Sequence, residues 1–261
     1  MKKNVVAGLG EIGLPILKIL SKNEKIVGYD LNEKLMNNRK FQKFNELPTC
    51  FLHVAIPVTA KFDSNLMKLY KKFKPDCIVI HSTISPGTTE RLQKKINSPI
   101  IYSATRGVHK RMLKDLKHYT KFFAISKSAP KKQWAILEYS KTMKKSGIKT
   151  ERMSKPETLE LAKILCDTSY LGWLINYAQL TNMIAIQHNV DYDEMWTFSD
   201  EIHKALGNRP KMFPGHIGGH CVIPNLELMQ NQTLNLIKTI NQKYSKKVPN
   251  AKNIHKKYIK K

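Results

Sequence analysis

Residues 3–20, "KNVVAGLGEIGLPILKIL", decide the fold. A short apolar run comes first, three glycines in the spacing Gly-x-Gly-x-x-Gly follow, and apolar residues at helical spacing complete the stretch. This order predicts a strand, a tight turn and a helix whose N-terminus faces an anion. We assign Gly8 to the turn, Gly10 to the close approach of a pyrophosphate, and Gly13 to the packing of the helix on the strand.

The next apolar run, "KIVGYD", ends in Asp30 and supports a dinucleotide site. An acidic residue about 20 positions after the glycines is where a ribose hydroxyl finds its partner. Its carboxylate favours NAD over NADP, because it would repel the additional phosphate. The sequence therefore predicts NAD as the cofactor, bound by the glycine loop with Glu11 and Ile12 and by Asp30. A glycine-rich turn without a cofactor is the alternative.

Further strands are predicted at "CFLHVAI", "CIVIHS", "PIIYS" and "FFAIS", with helical segments between them. Alternating strands and helices are typical of an α/β fold with a doubly wound parallel sheet of the Rossmann type. Ligands bind such sheets at the carboxyl ends of the strands. Residues 57–59, 82–89 and 103–109 should therefore share an edge with the cofactor, with Pro57 and Thr83 next to it.

The second half of the chain is dominated by residues 154–188, which predict one long helix. Lys163, Asp167 and Tyr170 fall on one side of it. We predict three segments: an NAD-binding Rossmann-type domain at 1–152, an all-α dimerisation and catalytic domain with a long central helix at 153–245, and a basic tail at 246–261.

Composition limits the functional classes. The formal net charge is +25, but only six of the 45 basic residues are arginines and the lysines are scattered, which argues against a nucleic-acid partner. The N-terminus does not resemble a signal peptide, and no apolar run reaches the roughly 18 residues of a membrane span. We expect a cytoplasmic protein that is not membrane-bound.

The four cysteines form no Cys-x-x-Cys pair, so the sequence predicts neither a metal site nor a disulfide framework. Cys50, Cys77 and Cys166 lie in apolar stretches and are expected to fill core positions. Cys221 differs, because "FPGHIGGHCVIPN" (213–225) surrounds it with glycines and prolines. An accessible thiol in such a loop is a candidate nucleophile, and an inert loop cysteine is the alternative.

Together these motifs resemble the UDP-glucose/GDP-mannose dehydrogenase family. The matching segments are "GLGEIG" at 8–13, "VAIPVT" at 54–59, "STISPGTTE" at 82–90, "LAKILCDTSY" at 161–170 and "FPGHIGGHCVIPN" at 213–225. The resemblance spans residues 1 to about 230 and predicts a short form without the family's third, nucleotide-sugar-binding domain. It implies oxidation of a sugar alcohol to a carboxylate by two hydride transfers to NAD.

The resemblance also implies residue roles. Cys221 would carry a thiohemiacetal and then a thioester, Lys163 would stabilise the oxyanion and help to lower the thiol pKa, and Thr83 would hold water. Three positions depart from the family pattern. Asp167 replaces an asparagine, Asn225 replaces an aspartate, and Thr105 replaces a catalytic glutamate. The reciprocal exchange at 167 and 225 suggests to us that the two side chains share one charge in the site, and the change at 105 places ester hydrolysis in question.

The substrate is expected to be a small and anionic molecule. Arg106, His109 and Arg111 are candidates for gripping it, and solvated surface charge is the alternative for them. Tyr170 and Gly218 complete the predicted substrate contacts. The resemblance implies a homodimer built on the long helix, where Trp173, Leu174, Ile175 and Tyr177 offer apolar surface on more than one face.

Two other functions fit the same residues. One is a β-hydroxyacid-type dehydrogenase that performs a single hydride transfer, with Cys221 incidental. The other is a binding module that holds NAD without turnover.

Overall fold

The computed structural model describes residues 1–36, 42–206, 214–219, 222–228 and 231–248. The chain divides into two compact units, Met1–Lys163 and Ile164–Lys261. Each unit has its own apolar core. Cys221 lies outside the described residues, as does most of the predicted basic tail.

The first unit alternates strands and helices, as the sequence predicts. Its elements are β1 (Lys3–Ala7), α1 (Gly13–Leu20), β2 (Ile26–Tyr29), α2 (Glu33–Met36), β3 (Thr49–Val54), α3 (Phe62–Phe73), β4 (Cys77–Ile80), α4 (Thr88–Gln93), β5 (Ile100–Tyr102), α5 (Met112–His118), β6 (Lys121–Ile125), α6 (Lys132–Lys145), β7 (Thr150–Arg152) and α7 (Pro156–Ala162).

The strands form one sheet in the order β2-β1-β3-β4-β5-β6-β7. Helices cover both faces: α1, α5 and α6 pack on one, and α3, α4 and α7 on the other. Burial on both faces explains why the central strands are continuous apolar runs in the sequence. The predicted doubly wound α/β fold is confirmed.

Strand β6 departs from the parallel arrangement. It runs antiparallel to β5, while the other neighbouring pairs are parallel. The intervening helix α5 has seven residues, so it is only about 10 Å long and does not carry the chain back across the sheet. The N-terminal end of β6 therefore lies at the same edge as the carboxyl ends of β3, β4 and β5. This places Lys121 at the edge where such sheets bind ligands.

The predicted long helix is not α-helical throughout. Residues Lys163–Ser169 are π-helical and lie between α7 and α8 (Tyr170–Gln187). π-helical turns are wider than α-helical ones, so this segment is not the continuous α-helix that the sequence predicts. π-helical turns occur frequently at functional sites. Cys166, expected in the core, is exposed in this segment, whereas Cys77 is buried and Cys50 half-buried.

The second unit is helical. After α8 follow α9 (Tyr192–Leu206), α10 (Val222–Leu226) and α11 (Gln232–Lys247). Helix α10 includes Asn225, so the last part of the predicted cysteine loop is helical. None of the described helices is both long and apolar enough to span a membrane.

Close helix packing and buried amides hold the second unit together. A side chain at Gly172 of α8 would lie 3.1 Å from Val222 and 3.2 Å from Ile237, so glycine lets α10 and α11 approach. The buried Gln179 amide donates to the Gly215 carbonyl at 2.7 Å. Asn241 bonds the backbone of Ile217 through both its oxygen and its nitrogen. The segment at 214–217 is therefore fixed from two helices.

Candidate active site at the carboxyl edge of the sheet

The turn between β1 and α1 has room for a side chain at one of its three glycines. Gly8 has φ +89°, and a Cβ there would lie 2.5 Å from the Ala55 carbonyl oxygen. A Cβ at Gly13 would lie 1.7 Å from the Gly8 carbonyl oxygen. A Cβ at Gly10 would meet nothing within 4 Å. The backbone at Gly10 therefore faces open space that a ligand can occupy.

Asp30 follows β2 and is bonded to this turn. Its Oδ2 accepts a hydrogen bond from the Leu9 amide at 2.7 Å, and its Oδ1 accepts one from the Asn32 amide at 2.8 Å. These bonds fix the carboxylate beside the glycine turn. Each carboxylate oxygen keeps a lone pair that can accept from a ligand hydroxyl.

The glycine turn follows β1, and the predicted rim segments at 57–59, 82–89 and 103–109 follow β3, β4 and β5. These four strands pair in parallel in the order β1, β3, β4, β5. Their loops therefore emerge at one edge. The Ser82 hydroxyl donates to the Ile56 carbonyl at 2.6 Å and joins two of these loops. Pro57 and Thr83 each adjoin one partner of that bond, so they lie on the predicted edge.

Glu160 anchors α7 to the loop that contains Thr83. This buried carboxylate accepts the Gly87 amide at 2.6 Å, and the Thr89 amide and hydroxyl at 3.0 and 2.6 Å, at the start of α4. Burial raises the pKa of Glu160, and the hydrogen bonds oppose that shift. Lys163 follows Glu160 by one helical turn and is half-buried. The glutamate therefore fixes the helix end that bears Lys163.

Lys121 is a buried lysine in hydrogen-bond contact with Thr105. Its ammonium lies 3.0 Å from the Ser103 carbonyl, 3.3 Å from the Ala104 carbonyl and 3.1 Å from the Thr105 hydroxyl oxygen. Burial lowers the pKa of Lys121 to about 7, and the positive charges of Lys163 and Arg106 add to the effect. This side chain can therefore gain and lose a proton near neutral pH.

Two neutral histidines, His53 and His81, extend the buried hydrogen-bond network of Lys121 and Ser103 across the sheet. Burial lowers the pKa of His53 to about 3 and that of His81 well below its ordinary value. The Ser103 carbonyl can only accept, so His81 donates to it from Nδ1 at 3.1 Å. His81 Nε2 then accepts from His53 Nδ1 at 3.0 Å. His53 Nε2 is left without a hydrogen-bond partner among the described residues.

The predicted anion-binding side chains all contact protein groups. Arg106 donates to the Thr120 carbonyl at 2.7 Å, and its guanidinium lies 5.1 Å from the centre of the Phe122 ring. His109 Nδ1 lies 2.6 Å from Glu11 Oε2, which links the rim to the glycine loop. Arg111 pairs with Asp115 at 3.0 Å.

The remaining predicted site residues lie in the second unit. Asp167, Tyr170 and Gly218 are exposed, and Asn225 is half-buried. Cys221, the predicted nucleophile, falls outside the residues that the structure describes. Among the described residues, no group of three or more His, Cys, Asp or Glu side chains is arranged to hold a metal ion.

The sequence analysis missed Lys121, His53, His81 and Glu160. One signal was available for the two histidines, because each is the polar member of a strand that is otherwise apolar, "CFLHVAI" or "CIVIHS". Lysine at a strand start and glutamate in a helix are common on protein surfaces. No local pattern marks them as buried.

Comparison with known proteins first identifies the class of fold. No family model matches the chain. The UDP-D-ManNAc dehydrogenase of Pyrococcus horikoshii superposes with a TM-score of 0.71 at 15% identity, covering 92% of this chain and 68% of that one. The 3-hydroxyisobutyrate dehydrogenase of Mycobacterium tuberculosis superposes with a TM-score of 0.65 at 13% identity, covering 98% and 99%. The chain therefore has the fold of these dehydrogenases.

One particular protein is similar in sequence. Protein CapL of Staphylococcus aureus is 23% identical over 265 aligned positions, which cover 85% of this chain and 61% of CapL. The chain thus spans about three fifths of the length of that relative.

Proposed function

We propose that this chain is an NAD-dependent oxidoreductase that oxidises an alcohol group of a sugar-like substrate. The observation that carries the proposal is the glycine turn, which is closed to side chains at Gly8 and Gly13 and open at Gly10. A pyrophosphate can approach the backbone there, and Asp30 is fixed beside the turn to accept from a ribose hydroxyl. NAD, when bound, would supply the hydride acceptor.

The substrate part of the proposal rests on charge and on fold. Lys121, Lys163 and Arg106 are close enough for the latter two to lower the pKa of the first. The positive charges of Lys163 and Arg106, which act on this edge of the sheet, favour an anionic substrate. The structural similarity to a UDP-D-ManNAc dehydrogenase supports a sugar nucleotide, UDP-N-acetylmannosamine being the first to test.

We further propose that Cys221 forms the covalent intermediate, with Lys163 stabilising the oxyanion and Thr83 holding water. Asp167 and Asn225 would share one negative charge near the thiol. Under this proposal a first hydride transfer would produce an aldehyde, to which the Cys221 thiol adds as a thiohemiacetal. A second hydride transfer would convert this adduct to a thioester, and water would then release the carboxylic acid and the free thiol. A hydroxyacid-type dehydrogenase would perform one hydride transfer without the thiol.

The test measures NADH and acid formation with UDP-N-acetylmannosamine and with 3-hydroxyisobutyrate. We expect the sugar nucleotide to be oxidised to the acid by the wild type. Cys221→Ser should form no acid, because the second hydride transfer starts from the thiohemiacetal on the Cys221 thiol and produces the thioester. Cys166→Ser is the matched control, since that cysteine is exposed in the π-helical segment and is not required by the proposal.

Different outcomes would reject different parts of the proposal. Acid formation that survives Cys221→Ser would remove the covalent role. Oxidation of 3-hydroxyisobutyrate alone would favour the single-transfer reaction. NAD binding without turnover of either substrate would favour a non-catalytic binding module.

The chain is also proposed to form a homodimer through α8. Exposed apolar side chains at Tyr177, Leu180 and Ile184 lie along one helical row, with exposed fractions of 59%, 44% and 45%. A cavity of about 350 Å³ opens beside this row, between Trp173 and Trp196. Burying such a row in a symmetric interface would remove it from water.

Light scattering should give twice the chain mass of 30.1 kDa for the wild type. Leu180→Glu should give a monomer, because it places a charge in the apolar row. Leu137→Glu on α6 is the control, since that leucine is also exposed but lies in the first unit. A wild-type monomer at micromolar concentration would contradict the dimer.

A further inference from the structure

We propose that Thr105 and Lys121 form the proton-transfer pair of this site: Thr105 takes the proton of the substrate hydroxyl and passes its own proton to the Lys121 amine. Thr105 is then a catalytic residue, and Lys121 is a positioning residue that acts through it. The inference rests on the proposed function, because it assigns the base for the alcohol oxidation.

The hydrogen-bond geometry fits both protonation states of Lys121. The charged ammonium has three N–H groups, and three oxygens surround it, those of Ser103, Ala104 and Thr105. The neutral amine has two N–H groups for the two carbonyls and one lone pair for the Thr105 hydroxyl. No buried polar group of this set loses a partner when the proton moves. A buried pair that is satisfied in both states can exchange a proton without leaving an unpaired group.

The direction of the Thr105 hydroxyl follows the charge of Lys121. Beside the neutral amine, Thr105 donates to Lys121, so its oxygen lone pairs can accept from a ligand. Beside the ammonium, Thr105 accepts from Lys121, and its own O–H is available to a ligand. Thr105 follows β5 at the ligand-binding edge and is 8% exposed, and the substrate hydroxyl would approach it through this exposed part.

The other ionisable groups around Lys121 favour the neutral amine at rest. The hydrogen-bond acceptors of the ammonium are uncharged oxygens. Glu160 of α7 is bonded to the start of α4. The facing groups are Arg106 after β5, Lys163 after α7, His53 on β3, His81 after β4, and Tyr139 of α6, which donates to the Ser103 hydroxyl. Arg106 and Lys163 are the cations of this set, and the two histidines are neutral. Burial raises the pKa of Tyr139, so the phenol keeps its proton.

The step balances with NAD as the oxidant. NAD, when bound, would accept the hydride of the substrate carbon, and the substrate oxygen would lose its proton to Thr105. The Thr105 proton moves to Lys121, which changes from amine to ammonium. After the product leaves, Lys121 returns the proton through Thr105 to water.

The first test is direct titration of Lys121 by NMR of ¹³C-labelled lysine side chains. We expect one resonance with a midpoint near pH 7, absent from Lys121→Met and retained in Lys149→Met, which removes an exposed lysine before β7. Thr105→Val should move the midpoint to lower pH, because the ammonium loses one of its three acceptors. A midpoint that stays near the ordinary lysine value of 10.5 would overturn the inference.

The second test is the rate of NADH formation with UDP-N-acetylmannosamine. We expect the wild-type rate to rise with pH around the NMR midpoint, since the neutral amine is the base. Thr105→Val should lower kcat by about 100-fold or more with little change in KM, and Thr105→Ser should restore most of the rate. Lys121→Arg should be slow across the pH range, because arginine does not release its proton.

The outcomes separate this inference from the proposed function. An active enzyme in which Thr105→Val retains wild-type kcat would overturn the proton-transfer pair and leave the function standing. A wild type that binds NAD but oxidises nothing would overturn both, whatever the NMR midpoint.

Discussion

Gly13→Ala is expected to destabilise the first unit by about 3 kcal/mol or more, whereas Gly10→Ala should leave its stability unchanged and abolish NAD binding. The Cβ at position 13 would lie 1.7 Å from the Gly8 carbonyl oxygen, so the backbone of the turn must move. The Cβ at position 10 would meet nothing within 4 Å of protein and would instead occupy the space proposed for the pyrophosphate.

Urea unfolding followed by Trp134 fluorescence measures the first effect, since Trp134 packs against the core of the first unit. Calorimetric titration with NAD measures the second. Gly147→Ala would not serve as a control because its φ is +77° and alanine would be strained there. Lys18→Ala on α1 is suitable, since that lysine is exposed. Normal NAD affinity in Gly10→Ala would contradict the proposed cofactor site.

Much of the first unit could be predicted because local sequence and burial agree there. The strands of the sheet centre are buried on both faces, so β4 appears as a continuous apolar run and β3 as an apolar run interrupted by His53. The glycine spacing matches a turn in which Gly8 has positive φ and Gly13 has no room for a side chain. These constraints act between residues that are close together in the sequence, so a short sequence motif is sufficient to detect them.

Edge pairing and strand direction were not predictable in the same way. Strand β7 is "TER", and its residues are half-buried or exposed, so it has no apolar signature. It is held by backbone bonds to β6. The antiparallel direction of β6 follows from the length and packing of the preceding helix, which depend on tertiary structure.

The candidate site also has one part that could be predicted from the sequence and one part that could not. The cofactor loop, Asp30 and the rim segments could be located from sequence because they follow predictable strands. Lys121 could not, because its burial depends on the reversal of β6 and on three oxygens contributed by the loop after β5.

A pH-dependent difference in stability between the wild type and Lys121→Met is the second large effect expected. The folded pKa of Lys121 is about 7, and the ordinary value is 10.5. Between these pH values the unfolded chain holds a proton that the folded chain does not. The free energy of unfolding of the wild type therefore rises with pH across this window, by up to about 1.4 kcal/mol per pH unit. Below pH 7 both states are protonated, and the full cost of burying the ammonium is present.

Lys121→Met removes this dependence and also removes the side-chain hydrogen bonds to Ser103, Ala104 and Thr105, which shifts the stability at every pH. The informative quantity is therefore how the difference in unfolding free energy changes with pH, and not its value at one pH. Urea unfolding at several pH values between 7 and 10.5 measures it, with Lys149→Met as the exposed-lysine control. We expect the wild type to gain several kcal/mol relative to Lys121→Met across the window. A constant difference would mean that Lys121 keeps its proton in the folded protein, and its amine could not then act as a base near neutral pH.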